Sequence, residues 1–181
     1  MTKVFIDGSY GTTGLRIHQR LQSRTDLELI SIPYEERHSE SARRRAYEEA
    51  DFVFMCLPDA AAKEAAPMAE ACHTRIIDAS TAHRTAEGWV YGFPEISGTE
   101  TIEAAPLVAN PGCHASGINA LIYPLIRNGI LSPAQKLQCF SITGYSGGGK
   151  KMIGEYESDC RDALMDAPRM YGLSQQHKHL T

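Results

Sequence analysis

A cysteine stands directly after Asn110, Pro111 and Gly112 in the stretch VANPGCHASG, residues 108–117. A strand pattern precedes this turn, and Ile118, Leu121, Ile122, Leu125 and Ile126 follow at helical spacing, so Cys113 is expected in a helix's first turn. Unpaired N–H groups and the positive dipole end stabilise a thiolate there. The same groups can hydrogen-bond an oxyanion on a carbonyl that the thiolate attacks. This is the setting of a nucleophile that accepts an acyl group. The other cysteines read differently: Cys56 and Cys139 lie in strand patterns, Cys72 near a helix end and Cys160 in a polar helical stretch. All four are expected to be structural thiols. A thiol nucleophile needs a base, and QQHKHLT (175–181) offers His177 and His179. Two apart in an extended segment they point opposite ways, so one of them would face the cysteine.

A second group of residues suits a nucleotide. Gly8, Gly11 and Gly14 are spaced through DGSYGTTG (7–14), with Ser9, Tyr10, Thr12 and Thr13 between them. Small residues between a first strand and a first helix let the backbone approach a pyrophosphate, whose charge the helix N-terminus favours. The spacing is G-x-x-G-x-x-G rather than G-x-G-x-x-G. An acidic residue ending the second strand would select NAD through the ribose hydroxyls. Here SIPYEERH (31–38) places Glu35 and Glu36 late, after Pro33, and Arg37 follows. An arginine suits a 2′-phosphate, which favours NADP. Arg43, Arg44 and Arg45 are either further cations of that site or the solvated face of a helix. A nucleotide loop together with a helix-start cysteine implies acylation of the thiol coupled to hydride transfer.

These residues must be held by alternating strands and helices. Strand patterns occupy 3–7, 27–32, 51–58, 74–80 and 106–110, with helical patterns at about 13–23, at 41–50, at 59–72 and after Cys113. Glu48 and Glu49 are spaced to pair with Arg44 and Arg45 at i, i+4. Pro67 is expected to kink or step its helix. Gly129 and Pro133 supply stop signals for the helix after Cys113. The alternation predicts an α/β fold, a Rossmann-like doubly wound, mostly parallel sheet. From Lys136 the texture changes to a strand pattern (136–143), the glycine-rich GYSGGGKK (144–151) and an acidic helical stretch. The expected division is therefore a nucleotide-binding domain over 1–135 and the beginning of a second domain over 136–181.

The 181 residues are 43% hydrophobic and 22% charged, with a formal net charge of −4. That balance gives no electrostatic basis for binding nucleic acid or an anionic membrane. No apolar run is long enough to span a bilayer, and the first residues enter a strand without a signal-like apolar core. Five scattered cysteines without a C-x-x-C pair form neither a disulfide framework nor a metal signature. A cytoplasmic protein is the expectation.

Seven blocks occur in order: GSYGTTG, FMCLPDAAAKEA, IDASTAHR, WVYGFPE, VANPGCHASG, GYSGGGKK and HKHL. Together they resemble the N-acetyl-γ-glutamyl-phosphate reductases of the shorter bacterial type, relatives of aspartate-semialdehyde dehydrogenase. The resemblance implies NADPH-dependent reduction of N-acetyl-L-glutamyl 5-phosphate to N-acetyl-L-glutamate 5-semialdehyde and phosphate, through a Cys113 thioester, in arginine biosynthesis. It implies a histidine general acid/base, by motif position His177 rather than His179. It further implies that Asn110 orients the substrate carbonyl, that Ser80 and Thr81 border the nicotinamide, and that Pro58 shapes the cofactor cleft. Gly147, Gly148 and Lys150 would cradle a substrate anion. Members of this family continue past H-K-H-L to complete an α+β substrate and dimerisation domain, so the chain is expected to be part of a longer protein. In full length that protein is expected to be a homo-oligomer, a dimer or tetramer. An aspartate-semialdehyde dehydrogenase-type enzyme, an acetyl-aminoadipate reductase and a catalytically silent dinucleotide-binding module are the alternatives.

Overall fold

The structure, a computed structural model, describes residues 1–174, with Lys150 in backbone only. The chain divides into two compact units, Met1–Gly112 and Cys113–Thr181. The division falls at the Asn110–Gly112 turn, earlier than the composition shift at Lys136 on which the sequence boundary rests. No residue of the helix that begins at Cys113 is buried, whereas the preceding strand ends in the core.

The first unit is a parallel sheet built from β1 (Thr2–Asp7), β2 (Leu27–Ile30), β3 (Phe52–Met55), β4 (Arg75–Asp78), β5 (Val90–Tyr91) and β6 (Leu107–Ala109). Their order is β2-β1-β3-β4-β6-β5, with every pairing parallel. Helices α1 (Thr12–Leu21), α2 (Glu40–Glu49) and α3 (Asp59–Ala71) connect the early strands, and the short helices α4 (Pro94–Ser97) and α5 (Thr99–Ala104) lie between β5 and β6. α3 runs through Pro67 as one helix.

The register explains the core. Ile30, Phe5, Val53, Ile76 and Leu107 form one row across five strands. Phe5, Val53 and Ile76 are buried there, and Ile30 and Leu107 pack on the cluster's margin. Against this row lie Ala46 and Tyr47 of α2 and Ala62, Ala65, Ala66 and Ala69 of α3. The run of alanines lets helix backbone come close to a flat strand surface at native density. Two residues further along the strands the same face carries Asp7, Met55, Asp78 and Ala109 in register. Two carboxylates therefore end up in the interior at the carboxyl edge of the sheet, where each needs a partner.

The second unit contains α6 (Cys113–Arg127), β7 (Ile142–Thr143), α7 (Gly149–Glu157) and β8 (Arg169–Met170), β7 and β8 pairing antiparallel. The strand expected over 136–143 is thus only its last two residues, which are the ones that meet a partner strand. Cys139 and Cys160 are exposed rather than structural core thiols. The His114 ring stacks on Tyr171 with centroids 3.6 Å apart, and its Nδ1 bonds the Ser141 hydroxyl. Among the described residues no helix is long and apolar enough to cross a membrane.

Candidate active site

Strand β1 leads into Gly8, whose φ of +85° lies in the left-handed region. A side chain is excluded there twice over, because a Cβ would also overlap the carbonyl oxygen of Cys56. Gly14, in the first turn of α1, presses in the same way on the Gly8 carbonyl. The loop closes with Gly11 N–H donating to the Gly8 carbonyl at 2.9 Å, and Gly11 caps α1 without a side-chain bond. The amides of Thr12, Thr13 and Gly14 thus open a helix with no carbonyl one turn back.

The chain crosses to opposite sides of β1 in forming β2 and β3, so the carboxyl ends of β1 and β3 flank a topological switch point, where such sheets bind ligands. A cavity of about 520 Å³ sits there. Gly8, Ser9, Tyr10 and Gly11 from the loop after β1, Pro58 from beyond β3 and Arg37 from beyond β2 line it. These are sequence-predicted cofactor residues brought together. Thr12, Thr13, Gly14, Ser80 and Thr81 are not part of its lining. Ser80 is buried, with its N–H and hydroxyl donating to Asp78 at 2.8 and 2.7 Å. Thr81 donates through N–H and hydroxyl to Asp59 at 3.0 and 2.7 Å. Both fix a turn rather than face the cavity. A broader open depression of about 800 Å³, near Thr2, Asp51 and Arg75 at the opposite strand ends, holds no sequence-predicted site residue.

The basic cluster divides in an unexpected way. Arg43 reaches back from α2 to Asp7, its Nη2 donating at 2.6 Å and its Nε at 3.0 Å. The Tyr47 hydroxyl donates to the same carboxylate oxygen. Burial opposes the charge on Arg43, but the hydrogen bond and charge of Asp7 hold its guanidinium above the usual value. Burial, with the Asp7 charge beside it, pushes the Tyr47 phenol well up. Arg43 is therefore neither a solvated cation nor free for a phosphate. Arg44 pairs with Glu40 at 3.6 Å and Arg45 with Glu36 at 3.7 Å, replacing the expected pairs with Glu48 and Glu49. Arg37 remains as the arginine of the cavity that no carboxylate neutralises among the described residues.

At the carboxyl end of β4 Asp78 accepts from Ser80 and lies 2.6 Å from Nδ1 of His83, whose ring stacks on Trp89. The turn built this way delivers Arg84 to the Asn110–Gly112 turn. Arg84 Nε donates to the Asn110 carbonyl at 2.9 Å, and a Cβ on Gly112 would come within 2.5 Å of its Nη1. Sequence reasoning missed Asp7, Asp78 and Arg84. The available signal was an aspartate closing each of two apolar strands, which cannot stay buried without partners.

The thiols separate. Cys56 follows β3, and burial reinforced by Asp7 and Asp78 pushes it up to about 12. Cys113 is exposed and is the first residue of the 15-residue helix α6, immediately after the turn that holds Asn110. In the second unit Gly147 and Gly148 belong to a 3-10 turn, Tyr145–Gly148, and Lys150 lies in the first turn of α7. His177 and His179 lie outside the described residues. Among the described residues no cluster of His, Cys, Asp or Glu could hold a metal ion.

A parallel sheet with a glycine loop at its switch point defines a dinucleotide-binding α/β domain. The family of semialdehyde dehydrogenases matches on both sides of the turn, its NAD binding domain over residues 3–105 and its dimerisation domain over 113–181. The chain belongs to this family. It is 49% identical over 180 residues to an N-acetyl-gamma-glutamyl-phosphate reductase of Chelativorans sp., covering 98% of this chain and 57% of that protein. A reductase of the same name from Trichormus variabilis is 45% identical over 98% of this chain and 57% of its own length. The chain thus spans somewhat over half the length of these curated relatives. Its fold is also that of a probable aspartate-semialdehyde dehydrogenase from Pseudomonas aeruginosa, with a TM-score of 0.62 at 16% identity over 85% of this chain and 50% of that one.

Proposed function

We propose that the chain carries the cofactor cleft and the nucleophile of an NADPH-dependent reductase that converts N-acetyl-L-glutamyl 5-phosphate to N-acetyl-L-glutamate 5-semialdehyde and phosphate, a step of arginine biosynthesis. One observation carries the reading. An exposed thiol, Cys113, opens a helix directly after the Asn110–Pro111–Gly112 turn, in a chain whose glycine loop makes a dinucleotide cleft. The names of relatives 45–49% identical over 98% of the chain support the choice of substrate.

The cleft fits the cofactor, because Gly8, where a Cβ would overlap the Cys56 carbonyl, lets β1 turn tightly into the loop, and α1 presents its first-turn amides to a pyrophosphate. On the ribose side Ser31, Arg37 and His38 line the cavity, and its one carboxylate, Asp7, is already paired with Arg43. That arrangement suits a 2′-phosphate and hence NADPH, which supplies hydride when bound. Cys113 attacks the acyl carbon as thiolate. The bond from carbon to the phosphate oxygen breaks, phosphate leaves with the electron pair, and a thioester remains. Asn110 orients the carbonyl. Arg84, held on the Asn110 carbonyl, keeps a positive charge suited to the departing phosphate. Gly147, Gly148 and Lys150 are assigned to a substrate anion. Proton transfer falls to His177, with His179 beside it in sequence. The protein works in the cytoplasm as a homodimer or homotetramer through its dimerisation domain.

The test runs the reaction in reverse, with NADP⁺, phosphate and N-acetyl-glutamate semialdehyde, following NADPH absorbance. Cys113→Ser is expected to lower kcat/KM by about 10⁴-fold while leaving the cofactor Kd within about twofold. A Cys113→Ser variant that keeps its rate overturns the proposal.

A further inference from the structure

The ribose side of the cleft holds a stack of side chains that the chemistry itself does not use. After Pro33 the backbone makes a 3-10 turn, Tyr34–Glu36, and Arg37 folds back over it. Arg37 Nη1 donates to the Tyr34 carbonyl at 2.7 Å, and its guanidinium carbon lies 3.7 Å from the centre of the Tyr34 ring. Tyr34 meets Tyr10 edge-on, with centroids 4.9 Å apart and planes at 85°. The Tyr10 hydroxyl donates to the Ile32 carbonyl at 3.3 Å, tying the glycine loop to the chain beyond β2. A surface arginine samples many rotamers, and fixing one costs entropy on binding. Here the ring face and the carbonyl fix Arg37 beforehand, leaving the rest of its planar fork for an anion. Glu36, the nearest competing carboxylate in sequence, is drawn away by Arg45.

We infer that Tyr34 is a positioning residue which, by stacking Arg37 and resting on Tyr10, makes this cleft select the 2′-phosphorylated dinucleotide. The inference rests on the NADPH reading above and adds the residue that sets the preference. Tyr34 is 51% exposed, so its replacement removes no core side chain.

Binding of adenosine 2′,5′-bisphosphate and of adenosine 5′-monophosphate to the full chain, by calorimetry, separates the claims. The native chain is expected to bind the bisphosphate at least about tenfold more tightly. Tyr34→Ala is expected to weaken the bisphosphate about tenfold and leave the monophosphate unchanged. Tyr34→Phe, which keeps the ring, should stay within about twofold of native. A native chain that binds both probes equally overturns the NADPH reading and this inference with it. A native chain that discriminates, loses discrimination on Arg37→Ala and keeps it on Tyr34→Ala overturns the inference alone. Equal weakening of both probes by Tyr34→Ala also overturns it, because the ring would then serve the whole nucleotide.

Discussion

Cys56 and Cys113 each follow the carboxyl end of a strand, β3 and β6, yet the chain surrounds them in opposite ways. Cys56 is half-buried after β3, between the strands that end in Asp7 and Asp78, and those surroundings push its thiol up to about 12. Cys113 is exposed and starts α6. The side chains are identical, so the difference lies in what the neighbouring strands deliver. Beside Cys56 the register places two interior carboxylates, whereas Cys113 has a turn before it and the first-turn amides of α6 around and after it. Position at a sheet's carboxyl edge is therefore not enough to make a reactive thiol.

The largest effect expected comes from the carboxylates. Arg43→Ala would leave Asp7 buried without its counter-charge and lower stability by about 3 kcal/mol, measured by urea unfolding. A loss below about 1 kcal/mol would mean that Tyr47 alone satisfies Asp7, and that the interior charge near Cys56 is weaker than the geometry indicates. A smaller effect is alkaline. The fold raises Cys56 from 9.0 to about 12 and raises Tyr47 as well, so both protons are bound more tightly in the folded chain. Stability from these groups is complete below about pH 9 and is lost as pH rises toward 12. By linkage the Cys56 share of the loss is about 1.4 kcal/mol at pH 10. Unfolding followed from pH 8 to pH 10.5 should show that slope, reduced in Cys56→Ala. An unchanged slope would contradict the suppressed thiol.

Much of this was legible in the sequence. Apolar runs gave β1, β3 and β4, and the glycine spacing gave the loop at the switch point, because strand burial and left-handed backbone constrain residue type directly. The fate of Arg43 was not legible. A helix-borne arginine reads as solvated until the register shows that Asp7 is interior and within its reach. Arg44 and Arg45 chose Glu40 and Glu36 over Glu48 and Glu49. Exposed i, i+4 pairs are worth only a few tenths of a kcal/mol, so local geometry decides among them. β5 escaped notice because two residues carry no periodicity. The expected strand over 136–143 reduced to Ile142–Thr143, since strand length is set by the partner and β8 is itself two residues long.

The most direct measurement is the intact mass of the chain after exposure to N-acetyl-glutamyl phosphate without any reductant, with peptide mapping of the product. The account predicts one acyl group per chain, carried on Cys113, with one inorganic phosphate released and no adduct in Cys113→Ser. Acylation that maps elsewhere, or that persists in Cys113→Ser, would contradict it.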